Sequence, residues 1–222
     1  MGVVGDLYRE GRERISEVAR GIDDETAKAT VVSTCPAWTV HDVLAHVVGI
    51  PTDILAGNVE GAATDPWTAA QVDARRNASI ADLLAEWEAN APQVEAIVDE
   101  FGPSGVQLLF DLTTHEHDIR HALGLPPLKD LPVHLAVTGF VFTRLGAGGE
   151  ALRIVTTGGT YVLGTGEPTA TLTAPIFDVL RAISGRRSER QIRAMQWDGD
   201  PTPHLSKFAD GPFTMPADDV VE

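Results

Sequence analysis

DLTTHEHDIRHALGLP, residues 111–126, holds seven residues that bind a proton or a metal or carry a charge within its first eleven. It runs into Gly124, Pro126 and Pro127, a combination that stops a helix. Leu108 just upstream, with Leu112 and Ile119 inside the stretch, makes a helical stripe, so the spacing predicts a helix over about 106–123. Residues four apart on a helix stack on one face. Asp111 and His115 therefore form one pair, and His117 and His121 form another on a different face.

Working outward, the rest of the first half also reads as helix. Leu7, Gly11, Ile15, Val18 and Ile22 recur at helical spacing over about 3–21. Thr39 with Asp42 three residues later has the form of a capping box. Val43, Leu44, Val47, Val48 and Ile50 then supply a buried face as far as Pro51. Ser79 and Asp82 repeat the start signal before Leu84, Trp87, Ala91, Val94, Val98 and Phe101, with a bend expected at Pro92. Four helices with one-sided apolar stripes bury them by packing together as a bundle.

After Pro132 the texture changes, which divides the chain into a helical part, 1–130, and a C-terminal part, 131–222. A fifth helix is expected over 133–145, then a break at 146–150. ALRIVTTGGTYVLGTG, 151–166, reads as two strands joined at Gly158-Gly159, and 169–174 as a third. Helix returns at about 175–184 and 188–195, and the tail from Trp197 is expected to be irregular. The fold class is therefore α+β: a four-helix bundle followed by a small C-terminal α/β domain.

Composition limits the function. With 222 residues, 43% hydrophobic and 22% charged, the chain is an ordinary globular one. No apolar run reaches the roughly 20 residues that span a bilayer, and the early charges of MGVVGDLYREGRERI do not suit a secretory leader, so a cytoplasmic location is expected. A net charge of −15 argues against nucleic acid and anionic membrane as partners. The single Cys35 fits a reducing compartment.

His46 sits mid-helix between Val43 and Ile50 and should point partly inward. A buried imidazole needs a partner, because an unmet polar group costs about 1–3 kcal/mol. A core hydrogen bond would meet that need, and so would a metal shared across the bundle. By spacing alone His117 and His121, two imidazoles, make the better metal pair, so the residues suggest a metal without choosing its ligands. Cys35 is read as a packing residue rather than a nucleophile. Asp118 reads either as a group that orients His115 or as a surface acid paired with Arg120 or His121. Arg181, Arg186, Arg187, Arg190 and Arg193 form the main basic cluster, serving either a carboxylate ligand or acids such as Asp178 and Glu189.

CPAWTVHDVLAHVVG (35–49), DLTTHEHDIRHALGLP (111–126) and GRRSERQIRAMQWDGDP (185–201) together resemble the mycothiol-dependent maleylpyruvate isomerase family of actinobacteria, over nearly the whole chain. That resemblance implies a DinB-like metal-binding bundle and a smaller α/β domain. It implies a divalent metal, usually zinc, held by His46, Asp111 and His115, with mycothiol as the thiol and a small electrophilic substrate. It makes Arg186 the candidate for a substrate carboxylate. The expected activity is isomerisation or S-transfer; a non-catalytic metal- or ligand-binding relative and a metal-dependent hydrolase are the alternatives. The family pattern has Glu where this chain has Asp111. The shorter acid would require the metal to sit closer, bind more weakly, or recruit His117 or Glu116. The substrate and the oligomeric state are not read from the sequence.

Overall fold

The helix starts are made by side chains. In the computed structural model, which describes residues 2–145, 148–209 and 213–222, Thr39 N–H donates to Asp42 Oδ2 at 2.9 Å while the Thr39 hydroxyl accepts from Asp42 N–H. Ser79 and Asp82 close the same reciprocal pair. Such boxes satisfy the donors a helix leaves open in its first turn.

The chain divides into two compact units, Met1–Pro127 and Leu128–Glu222. In the first unit the helices are α1 (Val3–Arg20), α2 (Asp24–Ala29), α3 (Val40–Ala56), α4 (Asp65–Arg75), α5 (Ile80–Ile97) and α6 (Pro103–Ala122). α1 and α3 each pack against α5 and α6, which makes the four-helix bundle. Trp87 and Tyr8 fill its centre, with the Trp87 indole N–H donating to the Tyr8 hydroxyl at 3.2 Å. Burial pushes the Tyr8 pKa up, so it stays a neutral hydroxyl.

Several expectations shift. α1 buries Gly11 and Ile15 as expected but Tyr8 and Ala19 in place of Leu7 and Val18, and Arg12 lies inside against Glu95 at 2.8 Å. α3 does not stop at Pro51 but continues to Ala56, ending at Gly57 in the left-handed region. A proline removes one ladder hydrogen bond, and here the helix runs on past it. α5 passes through Pro92 and ends in a 3₁₀ turn, Val98–Phe101. α6 begins at Pro103, where proline is preset for a first turn. α2 and α4 carry no clear apolar period; α4 buries only Gln71 and Val72.

In the second unit, α7 (Pro132–Leu145) precedes the strands β1 (Glu150–Thr156), β2 (Gly159–Leu163) and β3 (Thr165–Thr173). α8 (Ile176–Ile183), α9 (Glu189–Arg193) and β4 (Gln196–Asp198) complete it. The expected break at 146–150 falls partly on 146–147, outside the described residues. β1 and β2 pair antiparallel, with Thr156 opposite Gly159, so the turn lies at Thr157-Gly158, one residue earlier than expected. β3 then crosses to the other side of β1 and runs parallel to it, giving the order β2-β1-β3-β4. Gly164 permits that crossing: its φ is 92°, and a Cβ there would lie 2.7 Å from the Glu150 carbonyl oxygen. The tail is more regular than expected, because Trp197 lies in β4 and Thr202–Phe208 forms a 3₁₀ turn. The architecture is α+β, a helical bundle followed by a small α/β layer.

Glu86 ties three helices together, accepting from Thr52 Oγ1 at 2.6 Å and from Arg75 Nε at 3.0 Å. Burial alone would raise its pKa, but Arg75 and Thr52 outweigh burial and hold it below the ordinary value. A depressed carboxylate contributes stability above its unfolded pKa of about 4.3, and that contribution is lost as pH falls through the lower folded value. Glu86→Gln is therefore expected to destabilise at pH 7 and to converge with the wild type near pH 3, read from urea midpoints at the two pH values.

Candidate metal centre

Three donor atoms from two helices meet in the bundle. His46 lies on α3, 2% exposed, and its Nε2 stands 3.4 Å from Asp111 Oδ2. His115, one turn after Asp111 on α6, places its own Nε2 3.7 Å from Asp111 Oδ1. One donor atom from each of the three residues lies within 4.8 Å of the others. A tetrahedral ion with bonds of about 2.0–2.1 Å keeps its donors about 3.4 Å apart, so this set fits a small divalent metal such as zinc.

The imidazoles are held on their far side. His46 Nδ1 lies 2.7 Å from Gln71 Oε1. His115 Nδ1 lies 3.1 Å from Asp118 Oδ2. Outer contacts of this kind orient metal-binding histidines. Asp118 is fully buried and also accepts from Thr34 Oγ1 at 2.9 Å, with the Cys35 thiol 3.8 Å away. It faces inward to His115 and is not a surface acid; Arg120 Nε donates instead to the Pro126 carbonyl. The loop that carries Thr34 and Cys35 is cinched by Val32 N–H to the Trp38 carbonyl and Val40 N–H to the Thr30 carbonyl, each at 2.9 Å. It brings the Trp38 ring to 5.2 Å from His46 and 6.1 Å from His115.

Electrostatics favour charge at the centre. Burial works against protonation of His46. The Asp111 charge and hydrogen bond, with the Gln71 contact, outweigh burial and hold its pKa above the ordinary value.

The other candidates go elsewhere. His117 is buried, not on a solvated face, and His121 is half-buried; neither joins a converging group of three donors among the described residues. Glu116 receives Arg14 through both oxygens, at 2.7 and 2.8 Å. Cys35, half-exposed rather than buried, joins His115 and Asp118 in a second converging set, but there the acid already accepts hydrogen bonds. In the second unit, Arg187 binds Asp178 and Glu222, Arg181 binds Glu222, and Arg193 binds Glu189. Arg186 is buried and donates to the Ser184 carbonyl. Gln71 and Thr34 were not found from sequence: the first lies on a helix without a period, the second on a loop.

The family model described as mycothiol maleylpyruvate isomerase N-terminal domain matches residues 8–125. The chain belongs to this family. Its fold is similar to the crystal structure of the mycothiol-dependent maleylpyruvate isomerase, with a TM-score of 0.53 and 13% identity, covering 84% of this chain and 89% of that one. A histidine-to-alanine mutant of that isomerase gives 0.50 and 13%, covering 82% and 88%. At this identity the likeness to the isomerase structures is one of fold. A search of curated proteins finds no match. Among the described residues of this family member, no helix is long and apolar enough to cross a membrane.

The Thr34–Asp118 hydrogen bond yields a stability test. Thr34→Val leaves a buried carboxylate one donor short, and hydrogen bonds to charged groups contribute about 1.5–3 kcal/mol. The variant is expected to lose about that much unfolding free energy in urea denaturation.

Proposed function

We propose that this chain is a metal- and thiol-dependent enzyme that acts on a small electrophilic substrate by isomerisation or S-transfer. His46, Asp111 and His115 hold one divalent ion, zinc by the chemistry of its donors, and mycothiol is the thiol. The observation that carries this reading is the meeting of the two imidazole Nε2 atoms on one carboxylate, at 3.4 and 3.7 Å, with both rings held through Nδ1. Family membership supports the thiol and the reaction class.

Bound there, a divalent metal lowers the pKa of a coordinated thiol and so favours the thiolate. The chain's own residues prepare the place. His46 and His115 present fixed lone pairs and need no reorientation. Asp111 adds one negative charge, so two neutral imidazoles and one carboxylate leave a divalent centre net positive, which suits an anionic sulfur. With its side chain 35% exposed, Asp111 also stands where a small molecule can enter. Trp38 covers the imidazoles with an apolar ring and keeps water from that side. Three protein donors leave a position open for an exogenous ligand, as in catalytic rather than structural sites. By family resemblance Arg186 is the candidate for a substrate carboxylate, though its buried guanidinium donates to the Ser184 carbonyl.

Purified protein is expected to hold about one zinc per chain by elemental analysis. His46→Ala should abolish this, and Asp111→Ala should weaken binding by more than the roughly 10–100-fold that losing an outer contact costs. The double change His117→Ala with His121→Ala should keep the metal. Calorimetry should show mycothiol binding to the zinc form alone. A wild type that takes up no zinc after supplementation, or turnover without thiol, would overturn the reading.

A further inference from the structure

On α3 and α4, three polar side chains stand in line behind the metal centre. Asp53 Oδ2 accepts from Gln71 Nε2 at 2.6 Å, and Gln71 Oε1 lies 2.7 Å from His46 Nδ1. Gln71 is 3% exposed and His46 2%. We propose that Gln71, oriented by Asp53, is a positioning residue that holds the hydrogen of His46 on Nδ1 and so leaves Nε2 free to ligate the ion. The inference rests on the metal-centre reading for its purpose, though not for its geometry.

The direction follows from what each group can do. A carboxylate only accepts, whereas a primary amide has a donor end and an acceptor end. Asp53 therefore takes the amide NH2, and the carbonyl end is left for the imidazole. A carbonyl takes an N–H, so Nδ1 carries the hydrogen and Nε2 keeps its lone pair. Asp53 is itself held: its Oδ1 accepts from Asn58 Nδ2 at 2.8 Å. Free histidine prefers hydrogen on Nε2, and without a metal the Asp111 carboxylate, 3.4 Å from that nitrogen, favours the same form, so the Gln71 carbonyl is the group that draws the hydrogen to Nδ1.

The backbone makes room for the contact. Gly49 lies one turn beyond His46 on α3. A Cβ at that position would come within 2.8 Å of Gln71 Cβ and 2.9 Å of its Cγ. Any larger residue there would push Gln71 away from His46. The arrangement also differs from that of His115, which meets the carboxylate of Asp118 directly. Thus His46 receives the influence of an anion through a neutral amide, and His115 receives it at first hand.

Nitrogen-15 NMR of metal-free Asp111→Ala, at a pH where His46 is neutral, reads the tautomer with neither a metal nor the carboxylate that draws a hydrogen to Nε2. This background is expected to show the Nδ1–H form. Gln71→Met keeps the side chain's length but removes both amide ends. Added to that background it should move His46 toward the Nε2–H form; alone, it should weaken zinc binding about 10–100-fold, with circular dichroism unchanged. Asp53→Asn, which lets the Gln71 amide turn either way, should give a mixture and a smaller loss. An Asp111→Ala protein in the Nε2–H form would overturn the proposal. So would Gln71→Met leaving the Nδ1–H form in that background and zinc affinity within about two-fold of wild type. If the wild type binds no zinc, the metal reading falls, and the tautomer measurement still decides this one.

Discussion

Every polar group on a helix buried all round must find a partner inside the protein. α6 is such a helix: from Leu112 to Ile119 each residue is buried, and among them are Thr113, Thr114, His115, Glu116, His117 and Asp118. An unmet group in that position costs about 1–3 kcal/mol, and more if it is charged. The neighbours show the consequence. α1 brings Arg14 inward to meet Glu116 with both ends of its fork. The loop before α3 folds back on itself so that Thr34 can reach Asp118. Asp118 in turn fixes His115. The candidate metal centre thus lies on a helix whose polar side chains find their partners inside the bundle.

The two histidines reach the same end by different means. His115 belongs to the helix that creates the problem, and its support comes from the same helix, three residues on. His46 belongs to an apolar helix, and the acid one turn before it, Asp42, is taken up by Thr39 in the capping box. Its support comes from α4, a helix that contributes little to the core. That α4 lies so close to α3 depends on a glycine at the contact. A short helix with few apolar contacts is explained better by the one amide it delivers than by the area it buries.

The large outline was legible in the sequence because it rests on local rules. Thr39 with Asp42 and Ser79 with Asp82 announce their helices through reciprocal hydrogen bonds that need no tertiary partner. On α1 the middle of the stripe, Gly11 and Ile15, is buried as expected, but its ends shift by one residue, since Leu7 and Tyr8 are both apolar enough to lead it and only packing against Trp87 decides between them. α6 offered no choice between its two ionisable pairs, because a helix buried on every side has no polar face to rule one out. Resemblance to the family, not spacing, singled out His46, Asp111 and His115 there. The crossing of β3 beside β1 was out of reach for another reason: it turns on one glycine between two strands, and the pairing partner lies across the sheet.

The short acid at position 111 fits this picture. A longer side chain would be required if α3 and α6 stood far apart at His46 and His115. Instead the carboxylate of Asp111 spans both imidazoles, with one oxygen directed to each. Around His46 every residue of α3 from Val43 to Ile50 is buried. Glu116, a longer acid on the same helix, is held by Arg14 on another side of α6 and takes no part. At position 111 the shorter acid already faces both imidazoles, at 3.4 and 3.7 Å, so the methylene a glutamate would add is not needed to bring a carboxylate between them.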